Sequence, residues 1–188
     1  MADISTLIRH IFRWECSVIA RPGESMEHAY GRAAAKGVTH VKHDSGGATL
    51  CGVTLRTYTE YRRMRGQTVP TESDLARLGY SEWLDLLKRM FWNPCKADSI
   101  QNDRIALMLV DWRWVNGPQA VRDMQTAFSL VSDGIVGPKT LAALNALPHE
   151  TVFERLKQAR IRSYHKIVAR RPSQQCFLKG WLNRTEGI

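Results

Sequence analysis

Residues 43–54 read His43-Asp44-Ser45-Gly46-Gly47-Ala48-Thr49-Leu50-Cys51-Gly52-Val53-Thr54, and no other segment of the 188-residue chain combines the same features. Three glycines within seven positions permit tight turns and a close approach of the backbone to a ligand. Asp44, Thr49 and Thr54 add one carboxylate and two hydroxyls beside that backbone. Because binding and catalytic residues concentrate on such loops, we expect this segment to form one wall of a cleft.

The segment before the loop carries a helical pattern that ends on a carboxylate. Its apolar residues follow the spacing of an amphipathic helix: Ile4, Leu7, Ile8, Ile11 and Phe12. The same spacing continues to Glu15, and a carboxylate at the end of an apolar stripe should be partly desolvated, which raises its pKa. A raised pKa is what a general acid needs near neutral pH. The alternative is that Glu15 pairs with a basic neighbour at the helix end, and the pattern leaves both open.

The rest of the chain reads as mainly α-helical. We expect a short helix within residues 24–36, a helix capped by Thr54, an imperfect capping pattern at Thr71 and Asp74, a helix over 81–92, and a long basic helix from Pro148 to Arg171. The tail carries large apolar residues at 177–182, so it should fold back on the body.

Residues 103–116 are apolar almost all round in their first half, which is typical of a central buried helix. Asp111 interrupts that pattern. A buried carboxylate must be paired or hydrogen-bonded, so we interpret Asp111 as a structural acceptor that caps a neighbouring loop.

The amino-acid composition indicates which classes of protein fit this chain. With 44% apolar residues, six Trp and five Phe, the chain can bury a core. It contains no run of about eighteen apolar residues and no visible secretory signal, so we expect a protein made in the cytosol without stable membrane insertion. The four cysteines are widely spaced, which favours free buried thiols over a disulfide framework or a zinc site.

A formal net charge of +9 indicates an anionic partner, because positive charge raises the local concentration of polyanions. Nucleic acid, anionic lipid and the bacterial cell wall all qualify. The basic residues are dispersed along helix-like segments without a nucleic-acid motif, so charge alone does not choose among these partners.

Several motifs resemble one enzyme family. Trp14-Glu15 and residues 44–54 resemble the N-terminal motif of the glycoside hydrolase family 108 muramidases, a catalytic Glu followed by an Asp-x-Gly-Gly-Ala-Thr-x-x-Gly-[Ile/Val]-Thr loop. Residues 91–94, 111–117, 133–140 and 180–184 resemble the rest of that family, so the likeness covers nearly the whole chain. The resemblance implies a lysozyme-like helical fold with a glycine-rich loop or hairpin at the active-site cleft. It also implies a catalytic region over 1–95 and a peptidoglycan-binding-like region over 96–188, packed as one unit.

The resemblance implies cleavage of the β-1,4 bond between N-acetylmuramic acid and N-acetylglucosamine in peptidoglycan. Glu15 would donate a proton to the glycosidic oxygen, and Asp44 and Thr49 are the candidates that stabilise the sugar cation or orient water. The substrate-binding candidates are Gly46, Gly47, Tyr58, Trp92 and Asn116. A place in the core is the alternative for each aromatic residue. We expect a monomer that needs no metal or other cofactor, binds peptidoglycan glycan strands and not nucleic acid, and reaches the wall after release or export.

One departure from the family concerns the acid. The family's Glu opens a Glu-Gly-Gly-Tyr motif shortly before the Asp, whereas Glu15 precedes Cys16-Ser17-Val18 and Asp44 lies 29 positions later. We expect an insertion across residues 18–42, within which Glu24 and Glu27 are the fallback acids. Two other functions remain open: a non-catalytic wall-binding or secretion-associated protein on the same scaffold, and a basic nucleic-acid-binding protein.

Residues 133–140 are predicted to be a structural staple. Asp133-Gly134 and Gly137-Pro138 read as successive turns, with Ile135 and Val136 as apolar plugs between them and Thr140 as an early helical residue. Nothing in this arrangement requires a ligand. If Gly137 has a positive φ, a β-branched residue there should destabilise the protein.

Overall fold

The computed structural model describes residues 2–40 and 47–188. It divides the chain into two compact units, an N-terminal unit over Ile4–Met90 and a C-terminal unit over Met1–Asp3 and Phe91–Ile188. The division falls between Met90 and Phe91, a few residues before the boundary predicted at 95/96, and the packing of both regions as one unit stays a prediction. None of the described helices is both long and apolar enough to cross a bilayer.

The N-terminal unit is helical with one small sheet. Its elements are α1 (Ile4–Cys16), α2 (Met26–Ala34), β1 (Thr39–His40), β2 (Ala48–Leu50), β3 (Val53–Thr54), α3 (Leu55–Met64), α4 (Glu72–Ala76) and α5 (Tyr80–Leu87). The apolar stripe of α1 is buried as predicted, and Phe12 lies 5.4 Å from the ring of Trp83 on α5. Trp83 is fully buried and forms the centre of this core.

Side-chain caps begin two helices of this unit, α3 and α4, at the predicted places. Thr54 Oγ1 accepts the Thr57 N–H at 3.1 Å and so caps α3. The pattern at Thr71 and Asp74, imperfect by sequence, is a complete capping box because each side chain accepts the other's backbone N–H. Caps of this kind satisfy N–H groups that have no partner inside the helix.

The sheet is antiparallel in the order β1-β2-β3. Along β2, Ala48 and Leu50 are buried whereas Thr49 is half-buried, because successive strand residues point to opposite faces. One face of the sheet therefore packs on the core and the other carries hydroxyl groups. The prediction of a mainly α lysozyme-like fold with a small glycine-containing hairpin is confirmed.

A π-helical turn, Lys88–Trp92, crosses the division between Met90 and Phe91. The described part of the C-terminal unit then contains five α-helices: α6 (Asp103–Asn116), α7 (Gln119–Ala127), α8 (Pro138–Leu144), α9 (His149–Arg170) and α10 (Gln175–Glu186). Short 3-10 helices lie at Asn93–Cys95, Ala97–Ser99 and Pro172–Gln174. Helix α6 is buried on almost every side, as predicted, and packs against α7 and α9. The tail folds back as α10, whose Trp181 stacks on Tyr164 of α9 at 5.2 Å.

Asp111 is fully buried between two arginines. Arg160 Nη2 donates to Asp111 Oδ2 at 2.7 Å, and Arg184 Nη2 donates to Asp111 Oδ1 at 2.7 Å. Arg160 Nε also donates to Tyr164 Oη at 2.8 Å. The structural role predicted for Asp111 is confirmed, and its carboxylate binds guanidinium groups on α9 and α10. The carboxylate therefore joins three helices of one unit.

Buried Gln125 organises the loop at residues 133–136. Gln125 Nε2 donates to Asp133 Oδ1 at 2.8 Å and to the Ile135 carbonyl at 2.9 Å, while Gln125 Oε1 accepts the Gly134 N–H at 2.8 Å. The loop is thus held by structural contacts inside its own unit.

One detail predicted for this loop is wrong, and one condition stated for it is not met. Val136 is buried as expected, but Ile135 is 67% exposed and plugs nothing. The positive φ belongs to Gly134, at 80°, whereas Gly137 has φ −97° and precedes α8 in ordinary extended backbone.

Candidate active site

A cleft of about 380 Å³ opens in the N-terminal unit. Its walls come from the end of α1, the end of α2 with the turn after it, and all three strands. The polar groups on these walls are Glu15, Ser17, Lys36, Thr39, Thr49 and Thr54, with the thiols of Cys16 and Cys51 among them. The structure thus places two of the three predicted catalytic residues, Glu15 and Thr49, on one cleft.

Glu15 lies in the last turn of α1 and is exposed. The expectation that it is partly desolvated is therefore wrong. The buried stripe of α1 continues from Phe12 to Cys16, which is one helical turn further on and only 7% exposed. Glu15 stands beside that stripe, facing the cleft, so solvent and any ligand in the cleft reach its carboxylate.

The end of α1 has a specific backbone geometry. Ser17 has φ 50°, in the left-handed region, and the Val18 N–H returns to the Phe12 carbonyl at 2.9 Å. Lys36 Nζ donates to the Cys16 carbonyl. Left-handed residues after a helix are most often glycine, and the second glycine of the family's Glu-Gly-Gly motif falls at Ser17. Ser17 thus ends α1 in the left-handed conformation two residues after Glu15.

Three threonines form a row across the sheet. Thr49 pairs with Thr39 on β1 and with Thr54 on β3, so the three hydroxyls lie on one face. Thr54 Oγ1 is engaged in capping α3, whereas Thr49 Oγ1 makes a long contact of 3.4 Å with the Gly47 carbonyl. A weakly engaged hydroxyl beside the cleft is the one that a ligand recruits most readily.

The β2–β3 hairpin turns through Cys51 and Gly52, with φ 47° and 77°. Since Leu50 pairs with Val53 and both loop residues have positive φ, the connection has the features of a two-residue type I′ turn. Trp83 Nε1 donates to the Cys51 carbonyl at 3.1 Å, which anchors the turn to the core. This anchoring fixes the Cys51 thiol at the cleft.

Cys16 and Cys51 meet although they are 35 positions apart in the sequence. Their thiols share a hydrogen bond, which lowers the pKa of Cys16 and raises that of Cys51. Sequence reasoning missed this pair because it looked for closely spaced cysteines. The family resemblance relates the segments around Glu15 and Thr49, but no cysteine motif pairs Cys16 with Cys51.

The structure describes only some of the other predicted site residues. Asp44 and Gly46 lie outside the described residues, while Gly47 is described and has φ 69°, the conformation for which glycine is suited. Asn116 is half-buried at the end of α6 in the C-terminal unit, and its Oδ1 has no hydrogen-bond partner within residues 2–40 and 47–188.

Tyr58 and Trp92 are not sugar platforms in this structure. Each is only 2% exposed, and Trp92 Nε1 donates to Asp98 Oδ1 at 2.8 Å. A ring that is buried on both faces offers none to a sugar, so the assignment of these two residues as substrate-binding is corrected. Large aromatic side chains such as these stabilise the fold mainly by being buried in the core.

The fallback acids do not fit the cleft. Glu24 receives two hydrogen bonds from Arg32, at 2.8 and 2.7 Å, and one from the Arg21 backbone, which lower its pKa to about 2. A carboxylate held ionised in this way is a poor general acid. Glu27 is exposed in the first turn of α2, and neither residue is among the described groups that line the cleft.

The part of the chain that the structure describes contains no cluster of three His, Cys, Asp or Glu residues arranged to hold a metal ion. The site consists of a helix-borne carboxylate, a row of hydroxyls, a lysine and two thiols. These groups line a cleft in a mainly helical fold with one small sheet.

Comparison with protein families identifies two domains. The family described as Glycosyl hydrolase 108 matches residues 32–117, and the family described as Predicted Peptidoglycan domain matches residues 113–186. Together the two matches support a peptidoglycan-related glycoside hydrolase. The first match begins after Glu15, so it leaves the assignment of that residue untested.

One solved structure with a similar fold is that of Brucella abortus SagA. It matches with a TM-score of 0.67 and 23% identity, over 85% of this chain and 90% of that chain. At this identity the likeness concerns the fold. A search of curated proteins finds no match.

Proposed function

We propose that this protein is an N-acetylmuramidase that cleaves the β-1,4 bond between N-acetylmuramic acid and N-acetylglucosamine in peptidoglycan. The observation that carries the proposal is the placement of Glu15 and Thr49 on one cleft, and Thr49 lies within the residues 32–117 that match the glycosyl hydrolase 108 family. The net charge of +9 suits a glycan made anionic by the carboxylates of its peptides.

In this mechanism Glu15 donates its proton to the glycosidic oxygen as the bond breaks. The sugar then acquires oxocarbenium character and needs a nucleophile or a stabilising group on its other side. Thr49 Oγ1 orients the attacking water, and Asp44, five positions earlier in the sequence, supplies the second carboxylate. The exposure of Glu15 on the cleft gives its carboxyl group access to the glycosidic oxygen, as proton donation requires.

Product analysis of digested peptidoglycan tests the bond that is cleaved. Muropeptides released by the protein are reduced with borohydride and separated by mass. A muramidase leaves N-acetylmuramic acid at the new reducing end, so we expect muramitol in the products. Glucosaminitol would show cleavage of the other glycosidic bond, and intact glycan with shortened peptides would show a peptidase.

Two further assays, sedimentation with isolated walls and retention of DNA, separate the rival classes. A wall-binding protein without activity would sediment with the wall and release no new reducing ends. A nucleic-acid-binding protein would retain DNA in a strongly salt-dependent way without lysing walls. Either result would reject the muramidase assignment.

A further inference from the structure

Cys16 and Cys51 place two thiols in contact on the wall of the cleft. One ends the helix that carries Glu15, and the other lies in the type I′ turn that follows Thr49. Each residue is 7% exposed, yet both line the open cleft, so a small reagent has a route to them. Two cysteines that served only as apolar core residues would need neither a hydrogen bond between their thiols nor access from solvent. Cys16 and Cys51 have both.

The surroundings favour attack by one of the two sulfurs. The hydrogen bond with Cys51 lowers the pKa of Cys16 and outweighs burial and the Glu15 carboxylate, which both raise it; the ammonium group of Lys36 lowers it further. A thiolate is the nucleophile in thiol–disulfide exchange. Cys95 offers the contrast, because complete burial raises the pKa of its thiol to about 12.

We propose that Cys16 and Cys51 form a redox-active pair, which a glutathione-type disulfide or a dithiol–disulfide oxidoreductase converts into a disulfide that ties the end of α1 to the hairpin turn. The bond fastens the two walls that carry Glu15 and Thr49 without moving them, since the thiols are already in contact. Its consequence for catalysis rests on the function proposed above.

The reaction balances as two exchange steps. The Cys16 thiolate attacks one sulfur of oxidised glutathione, the glutathione disulfide breaks, and the departing glutathione thiolate takes up a proton. The Cys51 thiol then loses its proton to solvent, because the hydrogen bond to the Cys16 thiolate that chiefly raised its pKa is gone. Its sulfur attacks Cys16 and releases the second glutathione. Two protein thiols are oxidised and one glutathione disulfide is reduced to two thiols.

The new bond would close a loop over residues 16–51, which contains α2, the segment with Asp44, and Thr49. A cross-link restricts the unfolded chain, and a loop of this size should raise the melting temperature by roughly 5–15 °C. Disulfides persist in oxidising compartments, where an enzyme that acts on the cell wall works.

The test uses the full chain with Cys176→Ser, because exposed Cys176 would otherwise form links between molecules. The protein is equilibrated with oxidised or reduced glutathione, unfolded, alkylated and weighed. The reduced sample should take up three alkyl groups, at Cys16, Cys51 and Cys95, and the oxidised sample one, at Cys95. Tryptic digestion should show residues 14–32 linked to residues 43–56. The melting temperature should rise on oxidation by the shift given above.

The matched control adds Cys51→Ser to the same background, and its melting temperature should not rise with oxidised glutathione. Full alkylation of Cys16 and Cys51 after equilibration with oxidant would overturn the proposal, as would a cross-link to Cys95 or an oxidised form that melts no higher than the reduced one. Mass and melting temperature require no wall cleavage. A disulfide in a protein that fails to cleave walls would therefore reject only the proposed function.

Discussion

In the N-terminal unit Glu15 and Thr49 line an open cleft, whereas in the C-terminal unit Asp111 is fully buried between Arg160 and Arg184. The same chemical groups serve different ends in the two units. Buried charges must be paired, and their pairing holds helices together. Groups on an open cleft stay accessible to a ligand. Substitutions of similar chemistry should therefore affect activity in one unit and stability in the other.

The largest expected effect is that of Glu15→Gln. This change keeps the shape of the side chain and removes the titrating proton, so wall lysis should fall by about 10²–10⁴-fold, the range typical of acid–base catalysis. Stability should change by less than about 0.5 kcal/mol because the residue is exposed. Lysis is measured as loss of turbidity of isolated walls. The matched control is Glu27→Gln, an exposed carboxylate away from the cleft, and loss of activity there with full activity in Glu15→Gln would reverse the assignment.

Asp111→Asn should have the opposite profile. It leaves two buried guanidinium groups without their counter-charge, so the free energy of unfolding should fall by about 3–5 kcal/mol. Urea denaturation followed by tryptophan fluorescence measures the loss. Glu154→Gln removes an exposed carboxylate of the same unit and should cost less than about 0.5 kcal/mol. Equal effects of the two substitutions would contradict the structural role of the buried carboxylate.

A smaller effect is expected at the loop held by Gln125. Gly134 has φ 80°, and a Cβ there would approach the Arg122 side chain to 3.2 Å. Gly134→Ala should therefore destabilise the protein by about 1–2 kcal/mol, the cost of the left-handed conformation for a residue with a Cβ. In the same unit, Gly180→Ala should stabilise by about 0.5–1 kcal/mol because Gly180 lies within α10 and a Cβ meets nothing within 4 Å. In thermal melts, the melting temperature should fall in Gly134→Ala and rise in Gly180→Ala. A shift in the same direction in both variants would contradict this account.

The smallest expected effect concerns acid stability in the N-terminal unit. Hydrogen bonds from Arg32 and Arg21 lower the pKa of Glu24 from 4.5 to about 2 in the folded protein. The folded state therefore favours the ionised form more than the unfolded state does. This contribution is present above about pH 4.5 and is lost as the pH falls toward 2. Comparison of unfolding midpoints between pH 2 and 6 should show a shallower acid loss in Glu24→Gln than in the wild type, with Glu27→Gln behaving as wild type.

Local sequence signals predicted most of the helices. The apolar stripe of α1, the cap at Thr54 and the buried character of α6 depend on residues within one or two helical turns of each other. The sequence also predicted that Glu15 and Thr49 belong to one site, because the motif around them resembles a known family. Each of these inferences concerns neighbours along the chain or a motif that was already recognised.

The exposure of Glu15, the partners of Asp111 and the burial of Tyr58 and Trp92 depended on tertiary structure. Periodicity gives the direction of a side chain on its helix, but which neighbouring element covers it depends on how the helices pack. The contact between Cys16 and Cys51 is the clearest case. The two residues belong to separate elements with no shared pattern, and only the packing of the hairpin turn against the end of α1 brings their sulfurs together.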